Sequence, residues 1–514
     1  MMKAERTTSE ELQTVNSQML ARRTVLQNLL MGTAAGSLLD LLRIPAMAAP
    51  APKFRNKSLI LLWQDGGPSH FETFDPKPNA PREFRGELGA ISTALPGVQF
   101  CEILPRLSQL ANRFSVIRSI HQPSSGHVEG THNFITGHEG SPVVNGKSPF
   151  PDVASIIHRV QSLDPPAGAL DIGESTDPRL AAGMLNRSGV PGKQGPAQGE
   201  LPCYIGIGGQ YSIGLHRGGP AYLGPAAGAF EVAGDPSLPD FRVQNLRRSA
   251  TRQQFNERLL ILRQLNQLGR RGANRQKISR TAGLDLDLSG QMSAIDRFQQ
   301  QAFELLSGSG HASRAFDLTR EDRKTRERYG LHTAGQQALM ARRLVEAGAR
   351  VTAIRFSPDG RGDGDRSGIG WDDHAVHGNI FQIMRRRGPQ FDQAVSALIE
   401  DLEERGLHEQ VMVVLAGEFG RTPRIHQHKG CPGREHWGPA GNVLIYGGGL
   451  QMGQVIGATN EKGERPVERP LKPQDVLATI YYFLGINPDQ TLVNEVGRPI
   501  PILPTGKPIR ELIG

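Results

Sequence analysis

Five short apolar runs, each suited in length to one buried strand, constrain the fold of this 514-residue sequence most strongly. Runs of this kind, bounded by glycine and proline, are typical of strands buried on both faces of a parallel sheet. Amphipathic stretches at 336–348 and 392–405 each end beside a glycine just before one of these runs. The alternation predicts an α/β fold with a doubly wound, mostly parallel sheet flanked by helices. The runs are 58–64, 114–117, 351–356, 411–416 and 442–446.

Two further segments differ in composition from this pattern. Residues 252–308 are rich in Gln, Arg and Leu, which predicts a helical insertion. Residues 183–234 are rich in Gly and Pro, which predicts long loops or a cap. We expect residues 49–514 to form one large domain that carries these insertions.

The first 48 residues have the pattern of an export signal. Arg22 and Arg23 precede an apolar, small-residue stretch at 29–42, and Ala46-Met47-Ala48 forms a small-x-small cleavage pattern. The paired arginines predict a twin-arginine signal peptide over residues 1–48, hence the twin-arginine export machinery as a partner and a periplasmic or extracellular location. An ordinary secretory signal or a retained N-terminal anchor is the alternative. We expect no integral membrane segment in the mature chain, because no other stretch approaches 18 apolar residues.

The net charge of +8 leaves several classes of partner open, since a basic protein can bind nucleic acid, a membrane surface or an anionic substrate. The basic residues are scattered, with only modest clusters such as 385–387, and no zinc-finger or RNA-binding signature accompanies them. We therefore expect a solvated basic surface and no nucleic-acid partner. The three cysteines form no C-x-x-C pair, which argues against a disulfide framework.

Metal-competent side chains follow four of the five predicted strands. Asp65 follows the first run, and His127 and His132 lie in a histidine-rich segment after the second. The segment 371–377 comes after the third run, and Glu418 follows the fourth, with His436 further on. Ligands of open α/β sheets bind at the carboxyl ends of the strands, so these groups are expected at one edge. Arg421 or Arg434 could hold an anionic oxygen there.

The segment Trp371-Asp372-Asp373-His374-Ala375-Val376-His377 carries the sharpest local signal. Asp373 and His377 are four residues apart and would share one face of a helix. Asp372 and His374 are two residues apart and could converge from an extended segment. Either pair supplies one carboxylate oxygen and one imidazole nitrogen, a combination that suits zinc, manganese or iron.

Taken in order, these motifs resemble the bacterial family catalogued as domain of unknown function 1501, over nearly all of the mature chain. Members commonly carry twin-arginine signals, and the family is similar in fold to alkaline phosphatases and sulfatases. The resemblance implies a central, mostly parallel sheet with two adjacent metal positions. The matching segments are 64–70 with 74–78, 222–224 with 241–243, 328–330, 341–348, 371–374 and 417–423.

The wider superfamily's pattern implies roles for particular residues. Its first-strand carboxylate ligand falls on Asp65, and its final histidine ligand falls on His436. Its Asp-x-x-x-His ligand pair falls on Asp373 and His377, although 372–374 fits the narrower family motif better. These residues and Glu418 are therefore expected metal ligands.

Two positions depart from that pattern. Phe419 stands where the superfamily has a histidine ligand, so the second metal position is weakened, lost, or rebuilt from His127 or His132. His127 stands nine residues before Thr136-Gly137, where sulfatases carry their nucleophile. The candidate catalytic residues are thus His127 and His132, from the resemblance, and Arg421, from its position after a strand, and no nucleophile is identified.

Two functions are compatible with these features. The first is an exported hydrolase of phosphate or sulfate esters that uses a divalent metal (zinc, manganese, iron or calcium) and acts on a small-molecule or polymeric anionic ester. The second is a catalytically degenerate, sulfatase-like protein that binds a glycan or a cell-surface partner. The missing nucleophile favours the second function, and the carboxylates and histidines at so many strand ends favour the first.

Overall fold

The computed structural model describes residues 57–140, 148–163, 201–208, 218–243, 311–358 and 370–514. All of them lie within one compact unit, Phe54–Gly514. The described helices are α1 (Arg82–Arg85), α2 (Pro105–Gln109), α3 (His127–Thr136), α4 (Val153–Leu163), α5 (His311–Ala315), α6 (Arg323–Tyr329), α7 (Thr333–Glu346), α8 (Ile380–Glu404), α9 (Pro473–Leu484) and α10 (Arg510–Ile513).

The described strands are β1 (Ser58–Trp63), β2 (Ala90–Ser92), β3 (Gln99–Cys101), β4 (Ser115–Ile120), β5 (Tyr204–Ile207), β6 (Phe230–Val232), β7 (Val351–Arg355), β8 (Val411–Ala416), β9 (Gly420–Arg421), β10 (His426–His428), β11 (Cys431–Gly433), β12 (His436–Trp437), β13 (Gly441–Gly447), β14 (Gln454–Ile456), β15 (Ala458–Thr459), β16 (Pro466–Glu468), β17 (Thr491–Val493) and β18 (Pro499–Pro501). Eight of them form the main sheet, in the order β14-β4-β13-β8-β1-β7-β5-β6. The other strands form two-stranded pairs.

Alternate residues of the central strand β1 pack against different apolar layers. Leu59, Leu61 and Trp63 join one core cluster, and Ile60 and Leu62 join the other. All five are buried, and burying such a side chain contributes roughly 1.5–3 kcal/mol. The sheet is therefore covered on both faces, as its near-continuous apolar strands predict.

This architecture confirms the expected fold class. One predicted feature is wrong in part, because 183–234 contains β5 and β6 of the main sheet rather than loops alone. These strands have only four and three residues, too short for a periodic signal to stand out from the surrounding glycines. The expected signal peptide and the helical insertion at 252–308 lie outside the described residues. Within the described part, no helix is both long and apolar enough to cross a membrane.

Strand β13 runs opposite to the rest of the main sheet. It pairs antiparallel with both β4 and β8, whereas the other pairings in that sheet are parallel. Its glycine-rich end at Gly447 therefore lies at the amino edge of the parallel strands. Its beginning at Gly441 lies at their carboxyl edge, which brings the preceding His436 to the same edge as the tips of β1, β4, β7 and β8.

The tips of β1 and β8 approach each other too closely for a side chain at position 417. A Cβ atom on Gly417 would lie 2.6 Å from the carbonyl oxygen of Gln64 and closer still to the ring of Pro68. We expect Gly417→Ala to lower the free energy of unfolding by about 3 kcal/mol, the upper end of the usual cost of overpacking.

Chemical denaturation measures this cost, and Gly97→Ala provides the control. Gly97 has a φ of 75° with nothing within 4 Å of an added Cβ, so strain alone should cost about 1 kcal/mol. Equal destabilisation by the two substitutions would contradict the close approach of the strand tips.

Candidate metal centre

Three potential metal ligands converge at the carboxyl edge of the sheet. Single ligand atoms of His127, Asp372 and His436 all lie within 4.8 Å of one another. Asp372 is buried, and the two histidines are half-buried. Two imidazoles and one carboxylate are a donor set typical of zinc and of other transition metals.

Each ligand comes from a different part of the chain. His127 is the first residue of α3, the helix that follows β4. Asp372 lies in the irregular segment between β7 and α8, and His436 begins β12, which pairs with β9. Only the sheet topology brings these segments together, since β4, β7 and β8 all end at this edge.

Asp372 is the centre of the cluster. Its Oδ1 atom lies 2.9 Å from Nε2 of His374 and 3.0 Å from Nε2 of His436, and its Oδ2 atom lies 3.5 Å from Nε2 of His127. Nε2 of His374 is also 2.8 Å from Nε2 of His436. Ligands about 2.0–2.1 Å from a tetrahedral zinc ion stand roughly 3.3 Å apart, so these spacings fit a metal after small adjustments.

Arg421 fixes the carboxylate of Asp372 through a buried ion pair. Its Nη2 atom donates to Oδ1 of Asp372 at 2.5 Å, and its guanidinium is fully buried. It also donates to four backbone carbonyls, those of Gly66, Gly67, Trp371 and Arg434. With these donors occupied by the protein, Arg421 positions Asp372. The neighbouring Arg434 is also buried and is paired with Glu72 at 2.9 Å.

The charges of the cluster depend on one another. Burial acts to raise the pKa of Asp372, but hydrogen bonds from three imidazoles and the charge of Arg421 hold that pKa far below its ordinary value. Burial acts to lower the pKa of His127, yet its contacts with Asp372 and Glu418 outweigh burial and raise the pKa to about 9. Burial lowers the pKa of His436, which therefore favours the neutral, metal-binding form.

Glu418 and Glu435 lie behind the histidines as orienting groups. Oε1 of Glu418 accepts from Nδ1 of His127 at 2.8 Å and from the backbone N–H of Gly66 at 2.8 Å. Glu435 makes a short contact with Nδ1 of His374. A carboxylate that holds the second nitrogen of a histidine fixes its ring, so Glu418 orients His127 for metal binding and Glu435 fixes the ring of His374 beside the three ligands.

Of the two residue pairs predicted in segment 371–377, the structure brings together only one. No helix forms there, so Asp373 and His377 do not share a helix face. Asp373 instead forms a buried ion pair with Arg387 of α8 at 2.6 Å. Nδ1 of His377 contacts the backbone oxygen of Asp372 at 2.9 Å. The extended alternative, Asp372 with His374, is the pair that converges.

Asp65 and His132, two further predicted site residues, do not join the three ligands. The backbone oxygen of Asp65 accepts from the N–H of Trp371 at 2.8 Å, while its carboxylate pairs with Arg355 at 3.0 Å. His132 is buried on α3, where its Nδ1 lies 3.1 Å from the carbonyl oxygen of His138.

Phe419 fills the position at which the superfamily pattern places another histidine ligand. Its ring is 5% exposed and lies 4.6 Å from the ring of His436 and 5.3 Å from that of His127, measured between centroids. A Cβ on Gly67 would clash with it, so the glycine provides room for the ring. The described side chains here therefore fit one metal better than two.

A family model described as "Protein of unknown function (DUF1501)" matches residues 56–513. The chain belongs to the DUF1501 family. A search of curated proteins finds no match for it.

Several solved structures resemble this DUF1501 chain at low identity. Ps i-CgsB is 10% identical, with 84% of this chain and 72% of that chain covered and a TM-score of 0.35. The phosphonate monoester hydrolase SpPMH from Silicibacter pomeroyi is 12% identical, with 89% and 76% covered and a TM-score of 0.32. The PsFucS1 sulfatase from Pseudoalteromonas sp. is 11% identical, with 84% and 68% covered and a TM-score of 0.34. Likeness at this level concerns the fold alone.

Sequence reasoning missed three polar residues that support the site: Arg355, Arg387 and Glu435. Glu435 directly precedes a predicted ligand, and Arg355 is a charged residue near the end of an apolar run, so both positions carried a weak signal. Arg387 carried no such signal, because its pairing with Asp373 depends on how α8 packs and not on the local sequence.

The neighbours Asp372 and Asp373 give a matched pair of substitutions. We expect Asp372→Asn to abolish stoichiometric metal binding, because it removes the carboxylate shared by the cluster. Asp373→Asn should leave metal content per folded chain unchanged. It should lower the free energy of unfolding by about 3 kcal/mol, since it removes the negative charge from the buried ion pair with Arg387.

Elemental analysis of protein purified without chelator, combined with denaturant unfolding, checks both expectations. If Asp373→Asn loses the metal and Asp372→Asn keeps it, the metal ligand is Asp373 and not Asp372.

Proposed function

We propose that this DUF1501 protein is a hydrolase of phosphate or sulfate esters that depends on a single divalent metal. The convergence of His127, Asp372 and His436 carries the proposal. Catalytic zinc sites typically have three protein ligands and leave one position for water or substrate. Two imidazoles favour zinc, manganese or iron over calcium, which prefers six to eight oxygen ligands.

A divalent cation held here would polarise an ester oxygen and stabilise negative charge on the leaving group. The chain's own residues would position this chemistry. Glu418 orients His127, and Arg421 fixes Asp372. Phe419 packs against His127 and His436 and would exclude water on that side of the cluster. Export by the twin-arginine route, to the periplasm or beyond, remains part of the proposal.

His374 distinguishes a catalytic metal site from a closed, structural one. It lies within hydrogen-bond distance of Asp372 and His436, yet it is not part of the three-ligand group. We propose that it stays outside the metal's ligands and acts on the substrate, as a hydrogen-bond donor or proton donor held by Glu435. A fourth protein ligand would instead fill the open position.

The alternative is a catalytically degenerate protein that binds a glycan or a cell-surface partner. Phe419 in place of a ligand favours it, as does the engagement of nearby serines with the backbone. The hydroxyl oxygen of Ser124 accepts from the N–H of Gly126 at 3.1 Å, and that of Ser125 accepts from Gly438 at 2.8 Å. A protein that holds no metal and cleaves no ester would support this alternative.

Metal analysis combined with ester assays tests the proposed activity. Protein purified without chelator should contain about one transition metal per chain and should cleave 4-nitrophenyl phosphate or 4-nitrophenyl sulfate. Asp372→Asn should reduce turnover at least a hundredfold, in line with loss of a metal ligand or its support. Turnover that survives both this substitution and metal removal would exclude the metal-dependent mechanism.

His374→Ala should retain the metal and lose turnover by roughly 10²–10⁴-fold, the usual contribution of a general acid or base. Loss of the metal instead would make His374 a fourth ligand and the site a closed one. His377→Ala is the matched control, because that imidazole contacts only backbone and a neighbouring ring among the described residues.

A further inference from the structure

Arg355 presents a guanidinium at the same sheet edge as the metal centre. It is the last residue of β7, and its Nε lies 3.0 Å from Oδ2 of Asp65 at the tip of β1. Asp65 is buried, while 19% of the Arg355 side chain is exposed. The ion pair therefore fixes an arginine at the rim of the site.

Strand register places this arginine on the face of the sheet that carries Glu418. Trp63 pairs with Arg355 on one side and with Ala416 on the other. Side chains alternate between the two faces along a strand. Asp65 is two residues beyond Trp63 and Glu418 is two residues beyond Ala416, so both project to the face that carries Trp63, Ala416 and Arg355. Ala353 and Ala416 lie in the same core cluster as Trp63, which confirms the shared face.

The terminal nitrogens of Arg355 remain available for a ligand. Asp65 contacts its Nε, and among the described residues no acceptor lies within hydrogen-bond distance of Nη1 or Nη2. A guanidinium held in this way presents two parallel N–H groups, the geometry that binds oxyanions in a bidentate manner.

We propose that Arg355 binds a second anionic group of the substrate, a phosphate, sulfate or carboxylate separate from the ester that is cleaved. The proposal rests on the proposed function of the metal centre. Two strand spacings, roughly 10 Å, separate the backbones of β8 and β7. The guanidinium of Arg355 is paired with Asp65 and is not one of the residues that converge on Asp372. It is therefore suited to an anionic group beside the ester, and the substrate class is an ester with at least two anionic groups.

A sugar bisphosphate compared with its monophosphate tests this subsite. We expect the full metal-loaded chain to bind glucose 1,6-bisphosphate at least about tenfold more tightly than glucose 6-phosphate in calorimetric titrations, the effect of one charge-assisted contact. Arg355→Gln should abolish the preference without weakening binding of the monophosphate. Arg355→Lys keeps the positive charge beside Asp65 but loses the paired N–H groups that bind an oxyanion in a bidentate manner. It should therefore retain only part of the preference.

The matched control is Arg113→Gln, which removes the same charge from a surface ion pair with Glu403 at the amino edge of the sheet. It should leave the preference unchanged. The absence of a preference in the wild type, or an equal preference in wild type and Arg355→Gln, would overturn the proposal. Thermal melting checks that each variant is folded. If Arg355→Gln does not fold, Arg355→Lys provides the test.

The assays distinguish failure of this inference from failure of the proposed function. If the wild type cleaves no ester but prefers the bisphosphate through Arg355, the anion subsite stands and the hydrolase proposal fails. If metal-dependent turnover is found and Arg355→Gln keeps the preference, the subsite fails and the hydrolase proposal stands.

Discussion

The ion pair between Arg421 and Asp372 is the interaction on which the site depends. A buried guanidinium is tolerated only when its donors are satisfied, and Arg421 meets this requirement by bonding to Asp372 and to four backbone carbonyls. Those carbonyls belong to the β1 tip, the segment before α8 and the link between β11 and β12. One side chain therefore fixes the segments that carry Asp372 and His436 relative to the tip of β1.

This arrangement also explains why a carboxylate surrounded by imidazoles is tolerated below the surface. Arg421 supplies a permanent positive charge on one side of Asp372, and His127 supplies a second, titratable one. A divalent cation would take over the charge balance as the histidines became neutral. Because Arg421 shares Oδ1 of Asp372 with His374 and His436, it leaves Oδ2 less crowded for a metal.

The sheet and its functional edge could be predicted because both depend on short-range patterns. Apolar runs that end in glycine locate buried strands, and parallel strands bring their carboxyl ends to one edge. The choice between Asp372 and Asp373 could not be predicted in this way. It depends on whether the segment is helical or extended and on Arg387, a residue of α8 that draws Asp373 away from the edge. Both are long-range effects.

Equivalent positions on neighbouring strands need not have equivalent roles. Asp65 and Glu418 stand at the same level on the same face, and the sequence predicts both as metal ligands. Their partners separate them, since Glu418 orients His127 whereas Asp65 is neutralised by Arg355. A carboxylate paired with a guanidinium has little charge left to attract a cation, and the proposed anion subsite would use the two terminal nitrogens of that guanidinium. The strand end alone therefore locates the polar residues, and the neighbouring charge decides whether a carboxylate there orients a histidine or pairs with an arginine.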